Sequence, residues 1–244
     1  MGVFALWFLA YLLGKESAIV TSDVSLVVLT MFMTMIAIFN IIQSTNNTSR
    51  ITWILFSFVA VSWLAAEHIW SLNELILDVK PFPSYADIGY TIGSVILPAF
   101  FIMLLLPFKK FISKRVILSG ILSGGIVFSV IFYLTLPLNY NSISLSEILL
   151  NVYPALDGIA LAPALICAIL FYKMKMNVSS IVLFCAVVSA TIGDMLYHIT
   201  TTSGTYYSGS LTDVFYYMQY ALFIFGAYGI AKFSISQDVS VKNI

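Results

Sequence analysis

The feature that most constrains this chain is a succession of apolar runs, each about 20 residues long, separated by polar breaks too short to hold a domain of their own. Wound as helices at about 1.5 Å per residue, runs of that length match the roughly 30 Å hydrocarbon core of a bilayer. They place seven membrane helices at 22–43, 51–76, 84–107, 114–137, 146–172, 177–201 and 208–233. The breaks are Asn46 to Arg50, Asp78 to Pro83, Lys109 to Arg115, Asn139 to Ser144, Lys173 to Asn177 and Thr202 to Gly209. Composition agrees: the 244 residues are 61% hydrophobic and 9% charged, against roughly 45–50% and about 25% in a soluble domain. The fold class is therefore an all-α integral membrane protein, and a water-soluble globule is excluded. Residues 2–14 form a further short apolar run ahead of Lys15-Glu16. It reads as a short eighth helix or a signal-like start, and the lack of a basic segment before it argues against a signal peptide.

Eleven basic and eleven acidic residues cancel, which leaves no basic surface for a nucleic-acid backbone and makes the lipid bilayer the partner that composition implies. Cys167 and Cys185 lie inside apolar runs without the spacing of a metal or redox site. Basic residues collect in cytoplasmic loops. With Lys109 to Arg115 inside, strict alternation also puts Arg50, Lys173, Lys175, Lys232 and Lys242 inside, and only Lys15 and Lys80 outside. This predicts a multi-pass protein of the cell membrane with its C-terminus, including the tail 234–244, in the cytoplasm. The same orientation sets every acid except Asp238 outside, or in the outer to middle part of a helix.

Two stretches of the chain read alike. Glu67-His68-Ile69-Trp70 is followed by Pro83-Ser84-Tyr85-Ala86-Asp87-Ile88-Gly89-Tyr90, and Asp194-Met195-Leu196-Tyr197-His198 by Gly209-Ser210-Leu211-Thr212-Asp213-Val214-Phe215-Tyr216. In each, an acid is followed three residues later by an aromatic, and 19 or 20 residues later by an acid with Tyr three beyond. A shift of 127 carries Glu67 onto Asp194 and pairs helix 22–43 with helix 146–172. The chain then reads as two repeats of about four helices, 1–107 and 108–233, the first helix of the first repeat being truncated. An even number of helices per unit makes the repeats parallel, related by an axis along the membrane normal.

Ser84-x-x-Asp87 and Ser210-x-x-Asp213 have the form of capping boxes, and acids in a first turn suit the helix dipole. Trp70, Tyr90, Tyr197 and Tyr216 lie at the depth of interfacial aromatic belts. Glu67, Asp157 and Asp194 fall deeper, where an ionised carboxylate is costly unless paired, hydrated or coordinating, so they mark a site or a buried polar network. Asp194 and His198 share a helix face at four-residue spacing, whereas Glu67 and His68 point apart. Pro154 removes a backbone donor one turn before Asp157 and predicts a kink beside it. Together these residues outline an acidic, aromatic ligand or cation site in the outer half of the bundle. No Lys or Arg lies in the outer half of any predicted helix to neutralise it, which leaves protons, water, hydroxyl or imidazole partners, or a bound cation.

The strings Pro81 to Tyr90, Tyr153-Pro154-Ala155-Leu156-Asp157, and Gly193-Asp194 through Gly204 to Asp213 resemble the multi-pass membrane input module found ahead of PAS, histidine kinase or diguanylate cyclase domains in bacterial and archaeal sensors. The resemblance covers about residues 51–233. It implies a non-enzymatic sensor or binding module of undefined ligand and cofactor. Only Ser234 to Ile244 follow the last helix, so the expectation is a module without an output domain, acting alone, as a homo-oligomer or through a separate signalling protein. Two other classes compete. Gly193-Asp194 resembles the Gly-Asp pairs of the eight-helix lysoplasmalogenases, which would make the chain a membrane-embedded hydrolase, although its two His residues exclude a three-His zinc site. A small ion or solute transporter would use the repeat and the intramembrane acids, but no acid lies in the inner half to complete a path. A retinal protein is set aside, because Lys232 is at the end of the last helix rather than in its middle.

Overall fold

A computed structural model of the chain describes residues 2–135, 144–174 and 178–242. Every regular element among them is helical: α1 Gly2–Leu13, α2 Lys15–Ile42, α3 Asn47–Ser71, α4 Ala86–Leu105, α5 Lys114–Thr135, α6 Leu145–Lys173, α7 Ser179–Thr202 and α8 Asp213–Lys242. A π-helical turn, Leu72–Ile76, extends α3, and a 3₁₀ segment, Leu106–Phe111, extends α4. Six helices are long and apolar enough to cross a membrane, namely α2, α3 with its π turn, α4 with its 3₁₀ segment, α6, α7 and the Asp213–Lys232 part of α8. The sequence expectations for the 139–144 loop (other than Ser144), for Lys175, and for the end of the chain at Ile244 fall outside the described residues, as do the side chains of Asp238 and Lys242.

Local chemistry accounts for several boundaries. Asn46 caps α3 by accepting the Ser49 N–H at 2.8 Å. Ser144 and Glu147 close a reciprocal capping box at the start of α6, with bonds of 3.2 and 2.9 Å. Gly14, at φ +118°, separates α1 from α2. Helix α2 therefore begins at Lys15, seven residues before the start that the apolar run predicts. Asp23 is thereby moved from a predicted helix end to more than two turns inside a helix. The capping boxes expected around residues 84 and 210 are only partly formed. Asp87 Oδ2 accepts the Ser84 N–H at 2.6 Å, but the Ser84 hydroxyl accepts from Ala86 rather than Asp87. Asp213 accepts from the Gly209 N–H at 2.7 Å, and the Ser210 hydroxyl has no partner. Gly209, at φ +86°, turns the chain there, and a Cβ on it would come within 2.9 Å of the Ala18 Cβ.

The helix contacts form a closed ring. α2 packs on α3, α3 on α4, α4 on α6, α6 on α7, α7 on α8, and α8 returns to α2. α1 leans on α2 and α5 on α6, outside the ring. At twelve residues, α1 is about 18 Å long and spans roughly half a bilayer core; Trp7 ties it down by donating to the Gly209 carbonyl at 3.0 Å. Ring closure is recorded by Asn40 of α2, which donates to Ala227 O of α8 at 3.1 Å, and by Cys167 of α6, whose thiol points at Phe101 O of α4. Phe56, Phe100 and Phe223 fill the ring, with Phe56 and Phe100 centroids 4.8 Å apart. Outward, α2 alone exposes Val20, Val24, Met31, Phe32 and Met35. A surface this apolar suits hydrocarbon rather than water.

Candidate functional site

One end of the ring is polar inside. The C-terminal turns of α3 and α7 meet the N-terminal turns of α2, α4 and α8 and the N-terminal half of α6 around a cavity of about 80 Å³. One water needs roughly 10–15 Å³ by this measure, so the space suits a few waters or one small solute. Among the described residues, six carboxyl side chains (Asp23, Glu67, Asp87, Asp157, Asp194 and Asp213) and eight aromatic ones line it, with no Lys, Arg or His. Arg50, Lys109, Lys110, Lys114, Arg115, Lys173 and Lys232 all lie toward the opposite helix ends.

Hydroxyl and backbone donors from neighbouring helices serve most of these acids. Tyr220 donates to Glu67 Oε1 at 2.6 Å, and Tyr216 to Asp194 Oδ1 at 2.9 Å. Asp87 accepts from the Tyr153 hydroxyl as well as from Ser84 N. Asp213 has three donors, Ser22 Oγ at 2.5 Å, Gly209 N at 2.7 Å and Tyr206 Oη at 3.0 Å. Tyr206 lies in the α7–α8 loop, and burial, reinforced by Asp213, pushes its phenol well above the ordinary value. It therefore stays protonated and remains a donor. Gly193 makes room for part of this arrangement, because a Cβ on it would sit 2.9 Å from Tyr216 Cε1 and drive the ring away.

Two acids are served less fully. Asp157 and Asp194 stand within hydrogen-bonding reach of each other, but Asp157 Oδ2 has no partner. Asp23, only 1% exposed, has no partner on either carboxylate oxygen. Ser208 stands beside Asp23, but its hydroxyl proton is committed to Glu74 Oε2 at 2.5 Å. Among the described residues, no three carboxyl, imidazole or thiol groups converge closely enough to hold a metal ion.

Glu67, Asp157, Asp194, Asp87 and Asp213 thus meet in one cavity, together with Trp70, Tyr90, Tyr197 and Tyr216. The two histidines do not. His68 is exposed, with its Nδ1 2.8 Å from the Leu64 carbonyl of its own helix. His198 lies one turn beyond Asp194, half-buried and off the cavity wall, while Tyr197 takes the inward position. Sequence reasoning missed Asp23, Glu74, Tyr153, Tyr206, Ser208 and Tyr220. Tyr153 precedes Asp157 by four residues and Tyr220 follows Tyr216 by four, so helical spacing could have found both. Glu74 sits on the π turn, where it also accepts from Trp70 Nε1 at 3.1 Å; nothing in the sequence announces that turn. No family model, curated protein or solved structure matches the chain.

Proposed function

We propose that the chain is a non-enzymatic, multi-pass membrane sensor or binding module whose acidic, aromatic site opens toward the outer face of the membrane. One observation carries this reading: six carboxyl groups line a single cavity without a basic residue, at the end of the bundle away from the clustered lysines and arginines. Those bases belong on the cytoplasmic side, which orients the cavity outward. A polar, solute-sized cavity inside an otherwise apolar ring is what a binding site in a helical membrane protein requires.

Two finer features belong to the same proposal. The 22 residues of α5 extend about 33 Å as a helix, enough for a seventh span. The ring contacts, and the leaning of α1 on α2 and of α5 on α6, map onto themselves when α1, α2, α3 and α4 are exchanged for α5, α6, α7 and α8, whereas the contact of α1 with α8 has no such counterpart; the shared part is what two parallel repeats about a central axis would require. Glu67 with its tyrosine donor then corresponds to Asp194 with its own.

The test is whether the purified protein takes up a solute there. Thermal unfolding is followed across a panel of small cationic, neutral and anionic solutes and divalent ions, for the wild type and for Asp194→Asn. Binding predicts that at least one solute class raises the wild-type Tm and raises the variant's less. Indifference of both proteins to every class contradicts it.

A further inference from the structure

The cavity is more specific than an acidic pocket, because its acids are not equally free. Glu67, Asp87, Asp194 and Asp213 each accept from at least one hydroxyl or backbone donor. Asp23 is as buried as Glu67, Asp87 and Asp213, lines the same space, and has both oxygens unpartnered. A fold that provides hydroxyl or backbone donors for four of these carboxyl groups, that sets Asp157 against Asp194, and that gives Asp23 nothing on either oxygen leaves Asp23 for something that enters the cavity. The entering group must be a donor or a cation, since an anion would meet six carboxyl groups and no base.

The walls narrow the choice. A bare metal ion needs several oxygen ligands at close range. Among the described residues no such group of ligands converges. The cavity presents instead aromatic rings within reach of one another: Trp63 and Tyr220 centroids are 5.9 Å apart, and Trp70 and Tyr90 6.3 Å. Ring faces attract cations through their quadrupole and shed water at little loss, which suits alkylated ammonium groups better than hydrated metal ions.

Resting on the binding reading above, we infer that the ligand of this cavity is a small organic ammonium ion, its charge held at Asp23 and its alkyl groups against the Trp63, Trp70 and Tyr220 rings. The same group occurs in free amines and in phospholipid headgroups, and the experiment separates these sources.

The wild-type protein in phosphatidylglycerol nanodiscs is titrated with tetramethylammonium and choline. It is titrated in parallel with 3,3-dimethylbutan-1-ol, the uncharged isostere of choline, and with sodium, magnesium and calcium. Tm and tryptophan fluorescence are the readouts, and nanodiscs of phosphatidylcholine without added amine form the headgroup arm. The inference predicts saturable stabilisation by an ammonium ion, with the isostere weaker by about tenfold or more. Stabilisation in phosphatidylcholine alone supports the same class with the lipid as its source. Asp23→Asn should weaken binding by about tenfold or more, and Asp23→Glu should restore most of it. Asparagine nearly matches the shape of aspartate and disturbs no existing hydrogen bond of the Asp23 side chain, so the variant is expected to fold. Equal binding of isostere and ammonium ion, a response to metal ions alone, or unchanged affinity in Asp23→Asn would each overturn the ammonium assignment while leaving a binding module in place. No response to any ammonium ion in either nanodisc overturns it as well.

Discussion

Replacing Asp23 by Leu should make the protein more stable, although Asp23 is among its most buried polar residues at 1% exposure. Leucine reproduces the branching of aspartate at Cγ, and its extra volume has the roughly 80 Å³ cavity to occupy. What the substitution removes is a buried carboxyl group with no hydrogen-bond partner on either oxygen. A group left unsatisfied in this way costs about 1–3 kcal/mol, whatever its protonation state. At about 2–4 °C per kcal/mol for a chain of this length, Tm should rise by about 2–12 °C. The contrasting variant is Asp213→Leu, with the same change of chemistry in the same cavity. It orphans three donors, Ser22 Oγ, Tyr206 Oη and Gly209 N, and should lose about 3 kcal/mol or more, lowering Tm by at least about 6 °C. Apparent Tm from tryptophan fluorescence in one detergent compares the two directly. If Asp23→Leu falls as far as Asp213→Leu, Asp23 has a structural partner, and its role as the open position of the cavity is refuted.

Tyr216→Phe keeps the ring against Gly193 but withdraws the donor from Asp194 Oδ1, so it should lower stability by about 1–3 kcal/mol in thermal unfolding. Asp194→Asn in the same background should recover part of that loss, because an amide in place of the carboxylate can donate as well as accept. Gly209→Ala forces an alanine to φ +86° against Ala18. It should cost more than about 1 kcal/mol and increase hydrogen exchange in α1, which Trp7 fastens to the Gly209 carbonyl.

The spans were the most legible part of the fold, since hydropathy measures the property the bilayer selects. Each predicted span overlaps a helix among the described residues, six of them long and apolar enough to cross a membrane, with ends shifted by up to nine positions. The ring was not legible. Lipid tails and neighbouring helices reward the same apolar residues, so the pattern that reveals α2 and α8 does not reveal that they touch. Within the site, Glu67, Asp87, Asp194 and Asp213, which the repeated acid and aromatic pattern singles out, all line the cavity. Asp23 escaped because the apolar run starts at residue 22, whereas the helix begins at the polar pair Lys15-Glu16. A boundary error of seven residues turned a buried acid into an apparent interfacial one. His198 failed for the opposite reason: four-residue spacing puts two side chains on one face, but the cavity wall at the end of α7 is taken by Tyr197.

The central claim is an acidic cavity open to the outside of the cell, and site-directed labelling tests it most directly. In a background with Cys167 and Cys185 replaced, single cysteines are introduced at Thr205, in the loop above the cavity, and at Lys110, in the basic segment at the opposite end. Intact cells are treated with a membrane-impermeant maleimide. The account predicts that Thr205→Cys is labelled in intact cells and protected when the same reagent is blocked from outside, while Lys110→Cys reacts only after the membrane is opened. Labelling of Lys110→Cys in intact cells, with Thr205→Cys shielded until lysis, would place the cavity on the cytoplasmic side and contradict the account.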